Sequence, residues 1–212
     1  HELRTPLTAI KGFVETIEED VEEKNKYYLD IIKRNTNRVI NIVGDLLILS
    51  RLEEKNSCLE FEEVNLNDLV ENVLKIFSQR LKEKNIGLRF KTDDNLSPIV
   101  ADPFKLEQVF INLIDNAIKY TKKGEIQISL SQNDNSTIFK IADTGIGIPK
   151  EHLSRIFERF YVVDPSRSRK LGGTGLGLSI VKHIVLLHNG KIEGKNIPGN
   201  GTVFIITLPV TK

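Results

Sequence analysis

At 212 residues the chain has room for one or two domains, and its 40% hydrophobic content supports an ordinary buried core. A formal net charge of +1, with no long one-signed block, gives no case for a nucleic-acid binder. No apolar run approaches the roughly 20 residues needed to span a bilayer, and no signal-peptide pattern is present. The single cysteine, Cys58, excludes a disulfide framework and a cysteine-based metal site and fits a reducing compartment. The chain begins with histidine and contains no methionine, so it is expected to be a fragment, with any membrane anchor lying upstream of it.

Residues 1 to about 19 form a helix pattern, and its heptad seam, Leu3, Leu7, Ile10, Val14 and Ile17, runs on to Val21, with a bend near Pro6. A charged connection leads to a second predicted helix, from Lys26 to Glu54. Its seam is Tyr28, Ile32, Asn35, Val39, Ile42, Leu46 and Leu49, widened by Ile31, Val43 and Leu47. Two helices joined by a short loop make an antiparallel hairpin that cannot cover both of its apolar faces alone. Two copies forming a four-helix bundle can, which predicts a homodimer. Residues 55–60 read as a linker.

From Phe61 the pattern turns mixed. A strand over Phe61–Leu66 precedes a helix capped by Asn67 and running to Lys84. Strands follow at Leu88–Lys91 and Ile99–Ala101, and Asp102 and Pro103 open a helix over Phe104–Thr121 as N-cap and first residue. Strands at Glu125–Ser131 and Thr137–Ala142 flank a turn at Asn133–Asn135. A glycine-rich loop over Asp143–Pro149, a short helix over Glu151–Phe157, and a polar irregular stretch over 158–173 come next. A helix over Thr174–His188 and a strand pair, Lys191–Lys195 and Thr202–Leu208, complete the chain. The expected fold is α+β: a helical hairpin over residues 1–56, then an α/β sandwich over 57–212 with one mixed sheet faced by three helices.

Four stretches carry chemistry. In the Phe104–Thr121 helix, Asn112 and Asn116 are four apart and share a face, with Lys119 and Tyr120 close by. An Asn carbonyl is a hard ligand that suits Mg²⁺ shared with phosphates; equally, Asn112 suits a cap on a neighbouring turn and Asn116 a solvated position. Asp143-Thr-Gly145-Ile-Gly147 follows a strand, and its glycines let the backbone approach a ligand closely. The Asp143 carboxylate suits an exocyclic amine such as that of adenine. Gly172-Gly173-Thr174-Gly175-Leu176-Gly177 precedes a helix whose N-terminus suits phosphates. Arg167, Ser168, Arg169 and Lys170 form a basic stretch that suits closure over phosphates. Each loop taken alone also reads as a plain turn, and the basic stretch as solvated surface.

Together these stretches resemble the nucleotide-binding domain shared by sensor histidine kinases, type II topoisomerases, Hsp90 chaperones and mismatch-repair ATPases. Asn112–Tyr120 resembles the family's N box, Asp143–Gly147 its first glycine box, Phe157–Phe160 its F box and Gly173–Gly177 its second glycine box, in the family's order. His1-Glu-Leu-Arg-Thr5-Pro6 is similar to the H box of sensor kinases, which selects that branch. The wording around Ile10–Thr16 and Ser168–Leu178 looks closest to phosphate-regulon-type sensors. His152, His183 and His188 have no such company and read as surface or packing residues.

The resemblance implies a Bergerat-type ATP-binding fold behind a dimeric four-helix bundle, and a protein-histidine kinase that uses ATP and Mg²⁺. It implies that His1 is phosphorylated, with Glu2 on its other ring nitrogen, and that Asn116 holds the metal with Asn112 nearby. It implies that Lys119 and Tyr120 face phosphates or base and that Asp143 reads adenine, with Gly145 and Gly147 beside it. Gly173, Thr174, Gly175, Leu176 and Gly177, with the cations Arg167, Arg169 and Lys170, are implied to hold the triphosphate. The implied partner is a response-regulator receiver domain, with Thr5 placed to orient a water that dephosphorylates it. The implied location is cytoplasmic, attached to a membrane only through an upstream segment.

Overall fold

The computed structural model describes residues 7–8, 10–12, 14–15, 23–54, 59–93, 96–197 and 201–210. In chain order the elements are α1 (Glu23–Glu53), β1 (Glu62–Val64), α2 (Leu66–Glu83), β2 (Ile86–Thr92), β3 (Ile99–Ala101) and α3 (Pro103–Tyr120). Then come β4 (Gly124–Gln132), β5 (Ser136–Asp143), α4 (Pro165–Lys170), α5 (Gly177–Leu187), β6 (Lys191–Asn196) and β7 (Thr202–Pro209). The described residues ahead of α1 are helical where the first heptad seam was expected. Among the described residues no helix is long and apolar enough to cross a membrane.

Strict alternation in β4, β5 and β7 builds the sheet. Ile126, Ile128 and Leu130, then Phe139 and Ile141, then Phe204, Ile206 and Leu208 all point into the core. The register sets Leu130 opposite Phe139 and Phe139 opposite Ile206. The strand order is β2-β4-β5-β7-β6, with β2 and β4 parallel and the other pairs antiparallel. Helices α2, α3 and α5 cover that face. α3 packs against both of the others and carries Phe110 edge-on to Phe139, ring centroids 5.3 Å apart.

The expected mixed sheet faced by three helices is present, but β1 and β3 lie outside it. β1 and β3 pair with each other as a separate antiparallel ribbon, Glu62 to Ala101 and Val64 to Ile99. Each has three residues and runs straight into a helix, β1 into α2 and β3 into α3, so the ribbon caps the helical layer instead of extending the sheet. The α2 cap also differs. Asn65 is the N-cap, its Oδ1 accepting from the N–H of Asn67 at 3.0 Å, which places Asn67 inside the first turn. Asp102 caps α3 as expected, accepting from the Lys105 N–H at 3.0 Å, with Pro103 next.

The short helix expected over Glu151–Phe157 is a single 3-10 turn, Lys150–His152. Successive i to i−3 bonds, from Arg155 N to His152 O and from Glu158 N to Arg155 O, keep the chain tightly turned. His152 Nδ1 bonds the Tyr161 hydroxyl at 2.5 Å. His188 is buried: Nε2 accepts from the Asp102 N–H at 3.0 Å and Nδ1 donates to Ile184 O at 2.9 Å. Desolvation holds its pKa below the ordinary imidazole value.

Candidate active site

A cavity of about 880 Å³ opens between α1 and the α3, α4 and α5 side of the sandwich. One wall is the polar face of α3. Asn112, Asp115, Asn116, Lys119 and Tyr120 line it together with the small Ala117, while Phe110, Leu113, Ile114 and Ile118 are in the core. Helical spacing fixes this division, because residues four apart stack on one face. Asp115 accepts from Lys119 Nζ at 2.6 Å and from Arg80 Nη1 of α2 at 2.8 Å. The Tyr120 hydroxyl is pushed up in pKa, chiefly by burial, and hydrogen-bonds Ser168.

At the far end Asp143 closes β5. It is 7% exposed, and desolvation raises its carboxyl above the ordinary value against the hydrogen bonds of the Gly145 and Thr202 backbone. Gly145 donates its N–H to Asp143 Oδ1 at 2.8 Å. It lies behind the cavity wall, where an added Cβ would stand 2.6 Å from the Tyr120 carbonyl oxygen. Gly147, Ile148, Ile156 and Phe204 complete an apolar slot beside Asp143.

The second glycine loop forms the mouth. Gly173, Thr174, Gly175 and Gly177 line the cavity, whereas Leu176 is fully buried and serves as the N-cap of α5 without a side-chain cap. Gly175 has φ +77, and an added Cβ would meet the Phe160 backbone at 2.8 Å. The loop therefore rests on the F-box turn, and a side chain there is excluded on both counts. α5 starts at Gly177 and not at Thr174, because the Thr174 hydroxyl accepts from the Leu176 N–H at 3.2 Å and holds the preceding turn. The uncapped first N–H groups of α5 suit an anion.

The stretch expected to be irregular holds α4. Asp164 caps it, accepting from Ser166 N at 2.9 Å and Arg167 N at 3.1 Å, with Pro165 first in the helix. That is the Asp-Pro start already read at Asp102 and Pro103, so the sequence did carry the signal. Arg167 and Ser168 line the cavity; Arg169 and Lys170 lie in the same helix. His1, Glu2 and Thr5 lie outside the described residues.

Sequence reasoning missed a whole wall. Ile40, Asn41, Gly44, Asp45, Leu47, Ile48 and Arg51 of α1 line the cavity opposite Asp143 and the glycine loop. Asp45 Oδ2 accepts from the Thr174 hydroxyl at 2.7 Å, and burial raises its carboxyl pKa. Glu53, two turns on, pairs with Arg159 of the F box. Between them Leu49, expected in the bundle seam, and Leu52 join the core of the sandwich. The signal for this contact is long-range and has no local period.

No group of three or more His, Cys, Asp or Glu is placed to hold a metal among the described residues. The donors on α3 are amide oxygens. They fit a hard cation that takes most of its ligands from phosphate and water, and not an all-protein cage.

The family model described as histidine kinase-, DNA gyrase B- and HSP90-like ATPase matches residues 101–212, and the His Kinase A phospho-acceptor model matches residues 1–55. The sensor protein kinase WalK of Staphylococcus aureus is 38% identical over 99% of this chain and 51% of its own length. The chain spans 35% to 51% of the length of such curated relatives. Among solved structures, full-length ShkA in complex with AMPPNP superposes with a TM-score of 0.82 at 28% identity, over 100% of this chain and 45% of its own. Histidine kinase ThkA, in complex with response regulator TrrA, gives 0.74 at 34% identity, over 100% of this chain and 59% of its own. The relatives named here are WalK sensors, where the sequence wording suggested a phosphate-regulon type. The chain belongs to the histidine kinase-, DNA gyrase B- and HSP90-like ATPase family and carries a His Kinase A phospho-acceptor domain ahead of it.

Proposed function

We propose that this chain binds ATP in the cavity between α1 and α3, phosphorylates His1, and passes the phosphoryl group to an aspartate of a response-regulator receiver domain. The observation that carries the reading is the convergence on one cavity of Asn112, Asn116, Lys119, Asp143 and the uncapped N-terminus of α5. Its volume is in the range of small-molecule sites. Residues 1–56 act as the dimerisation and phosphotransfer unit, and 57–212 as the nucleotide-binding unit. The similarity to ShkA, solved with AMPPNP, and to ThkA, solved with a response regulator, supports both ligand and partner.

Adenine sits in the slot beside Asp143, whose carboxylate accepts from the exocyclic amine. Lys119, Arg167, Thr174 and the α5 N-terminus hold the triphosphate, with Arg169 and Lys170 in the same lid. Asn116, with Asn112, would hold Mg²⁺, which supplies charge neutralisation on the phosphates. A ring nitrogen of His1 attacks the γ-phosphorus, the bond to the β,γ-bridging oxygen breaks, and ADP leaves. Glu2 accepts from the other ring nitrogen, fixing the tautomer and stabilising the imidazolium. Phosphoryl transfer asks mainly for this alignment and neutralisation.

Two copies pair through the hairpin. Tyr28, Ile32, Val39 and Leu46 of the α1 seam are exposed in the single chain and suit burial against a second copy. The protein is the cytoplasmic portion of a membrane-anchored sensor. Thr5 orients a water for dephosphorylation of the regulator.

Incubation with γ-labelled ATP and Mg²⁺ tests the reading. The expected result is label on the protein, acid-labile and base-stable, and absent from His1→Gln. Labelled phosphate released to solution with none on protein indicates a hydrolysing ATPase instead, and no turnover a binding scaffold. A Thr5→Ala chain that dephosphorylates the regulator normally removes Thr5 from the scheme.

A further inference from the structure

We propose that Asp115 is a positioning residue for the triphosphate: anchored by Arg80 of α2, it fixes the Lys119 ammonium on the cavity wall. The inference rests on the reading of the cavity as an ATP site.

Asp115 sits between the two asparagines of α3, and its carboxylate is divided between two cations. Oδ2 takes Lys119 Nζ at 2.6 Å and Oδ1 takes Arg80 Nη1 at 2.8 Å. Asp115 and Lys119 both line the cavity, whereas Arg80 stands behind it. The pair runs carboxylate to lysine at i and i+4, the favourable direction on a helix. Both side chains are about three-quarters covered, at 25% and 23% exposed, so solvent screens them less than a surface pair.

The second cation is what separates this arrangement from an ordinary helix pair. Arg80 is itself held, its guanidinium 5.5 Å from the ring centroid of the buried Phe77. One turn on, Lys84 Nζ donates to the Ile118 carbonyl at 2.5 Å. The basic edge of α2 thus grips the end of α3 that carries Asn116, Lys119 and Tyr120. Two cations on one carboxylate leave the cluster with a net charge of +1. The Lys119 ammonium spends one of its three donors on Asp115 and keeps the others for phosphate oxygens. A lysine with a flexible four-carbon stem is thereby converted into a fixed donor.

The test is nucleotide affinity of the full chain, for MgATP and for adenosine, by displacement of a fluorescent ATP analogue. Asp115→Asn is expected to weaken MgATP about tenfold, the effect of one charge-assisted hydrogen bond, and adenosine by less than about twofold. Arg80→Ala, which touches no part of the cavity, weakens MgATP in the same direction by less. Asp115→Glu restores most of the affinity. Lys119→Ala weakens MgATP, and adding Asp115→Asn to it costs little more, because without Lys119 there is no donor for Asp115 to fix.

Equal loss for adenosine and MgATP would make Asp115 a structural residue and overturn the proposal. So would unchanged MgATP affinity in Asp115→Asn beside a loss in Lys119→Ala, which leaves the phosphate role of Lys119 standing. If Lys119→Ala binds MgATP normally, there is no phosphate donor to position. An unaltered chain that binds neither ligand overturns the ATP reading itself. Should Asp115→Asn fail to fold, Arg80→Ala, at a position 44% exposed, decides the matter.

Discussion

The two walls of the cavity are built in opposite ways. The α3 wall presents amides, a lysine and a tyrosine, and its back is the core: Phe110, Leu113, Ile114 and Ile118 are buried where α3 packs on α2, α5 and the sheet. It cannot leave without unfolding the sandwich. The α1 wall mixes apolar Ile40, Leu47 and Ile48 with Asn41, Asp45 and Arg51, and a short stripe holds it in place. Asp45, Leu49 and Glu53 recur at i, i+4 and i+8 on one helix face, bonding Thr174, filling the core and pairing with Arg159 in turn. In the proposed reading one wall supplies the chemistry and the other closure, and the loop proposed to meet the phosphates is held from the closure side. Changes on the two walls should therefore separate catalysis from docking.

The largest effect is expected on the chemical wall. Asn116→Ala should reduce protein labelling from γ-labelled ATP to background while leaving the thermal midpoint nearly unchanged, since the residue is half-buried at the cavity edge. Retained labelling would end the assignment of Asn116 to the metal. Equal loss of labelling and of fold would blur the contrast between the walls.

A smaller effect of a different kind is expected on the closing wall. Leu49 is 2% exposed in the shared core, so Leu49→Ala should cost about 2–4 kcal/mol of the α1 contact through lost burial and the cavity left behind. Hydrogen exchange should show residues 45–53 losing protection while β4, β5 and β7 keep theirs. ATP affinity is expected to change less than about threefold, because few of the proposed ligand groups sit on α1. A parallel collapse of the sheet would mean that the two walls form one cooperative unit.

What could be read from the sequence follows the same division. The α3 face, the Asp102-Pro103 start and the alternation of β4, β5 and β7 are local patterns with a period of 3.6 or 2, and the structure has them. The Asn65 cap was displaced by two residues because Asn67, too, precedes an apolar run. α4 was hidden in a charged stretch with no apolar period, although Asp164 and Pro165 marked its start. The α1 wall had a helical period but no local sign of its partner. Asp45 and Thr174 are 129 residues apart, and Leu49 fits a bundle seam as well as it fits the sandwich core.

The smallest effect tests the hydrogen bond that ties α1 to the glycine loop. Burial against the glycine loop raises the Asp45 carboxyl above its ordinary 3.8, desolvation outweighing the Thr174 hydrogen bond and the charge of Lys119. The docked contact therefore binds a proton more readily than the free helix does. It is strongest below the ordinary carboxylate value and weakens as pH rises through the raised one. Asp45→Asn keeps an oxygen for Thr174 and removes the titration. At neutral pH it should match or exceed the unaltered chain in stability, by no more than about 1 kcal/mol. That advantage should shrink as pH falls from about 7 to about 4, through the carboxylate range. The stability difference between the two chains, followed by denaturant unfolding across that range, isolates this residue from every other titrating group. A difference that does not vary with pH, or a less stable Asn variant at neutral pH, would mean that the ionised carboxylate itself holds α1 to the loop.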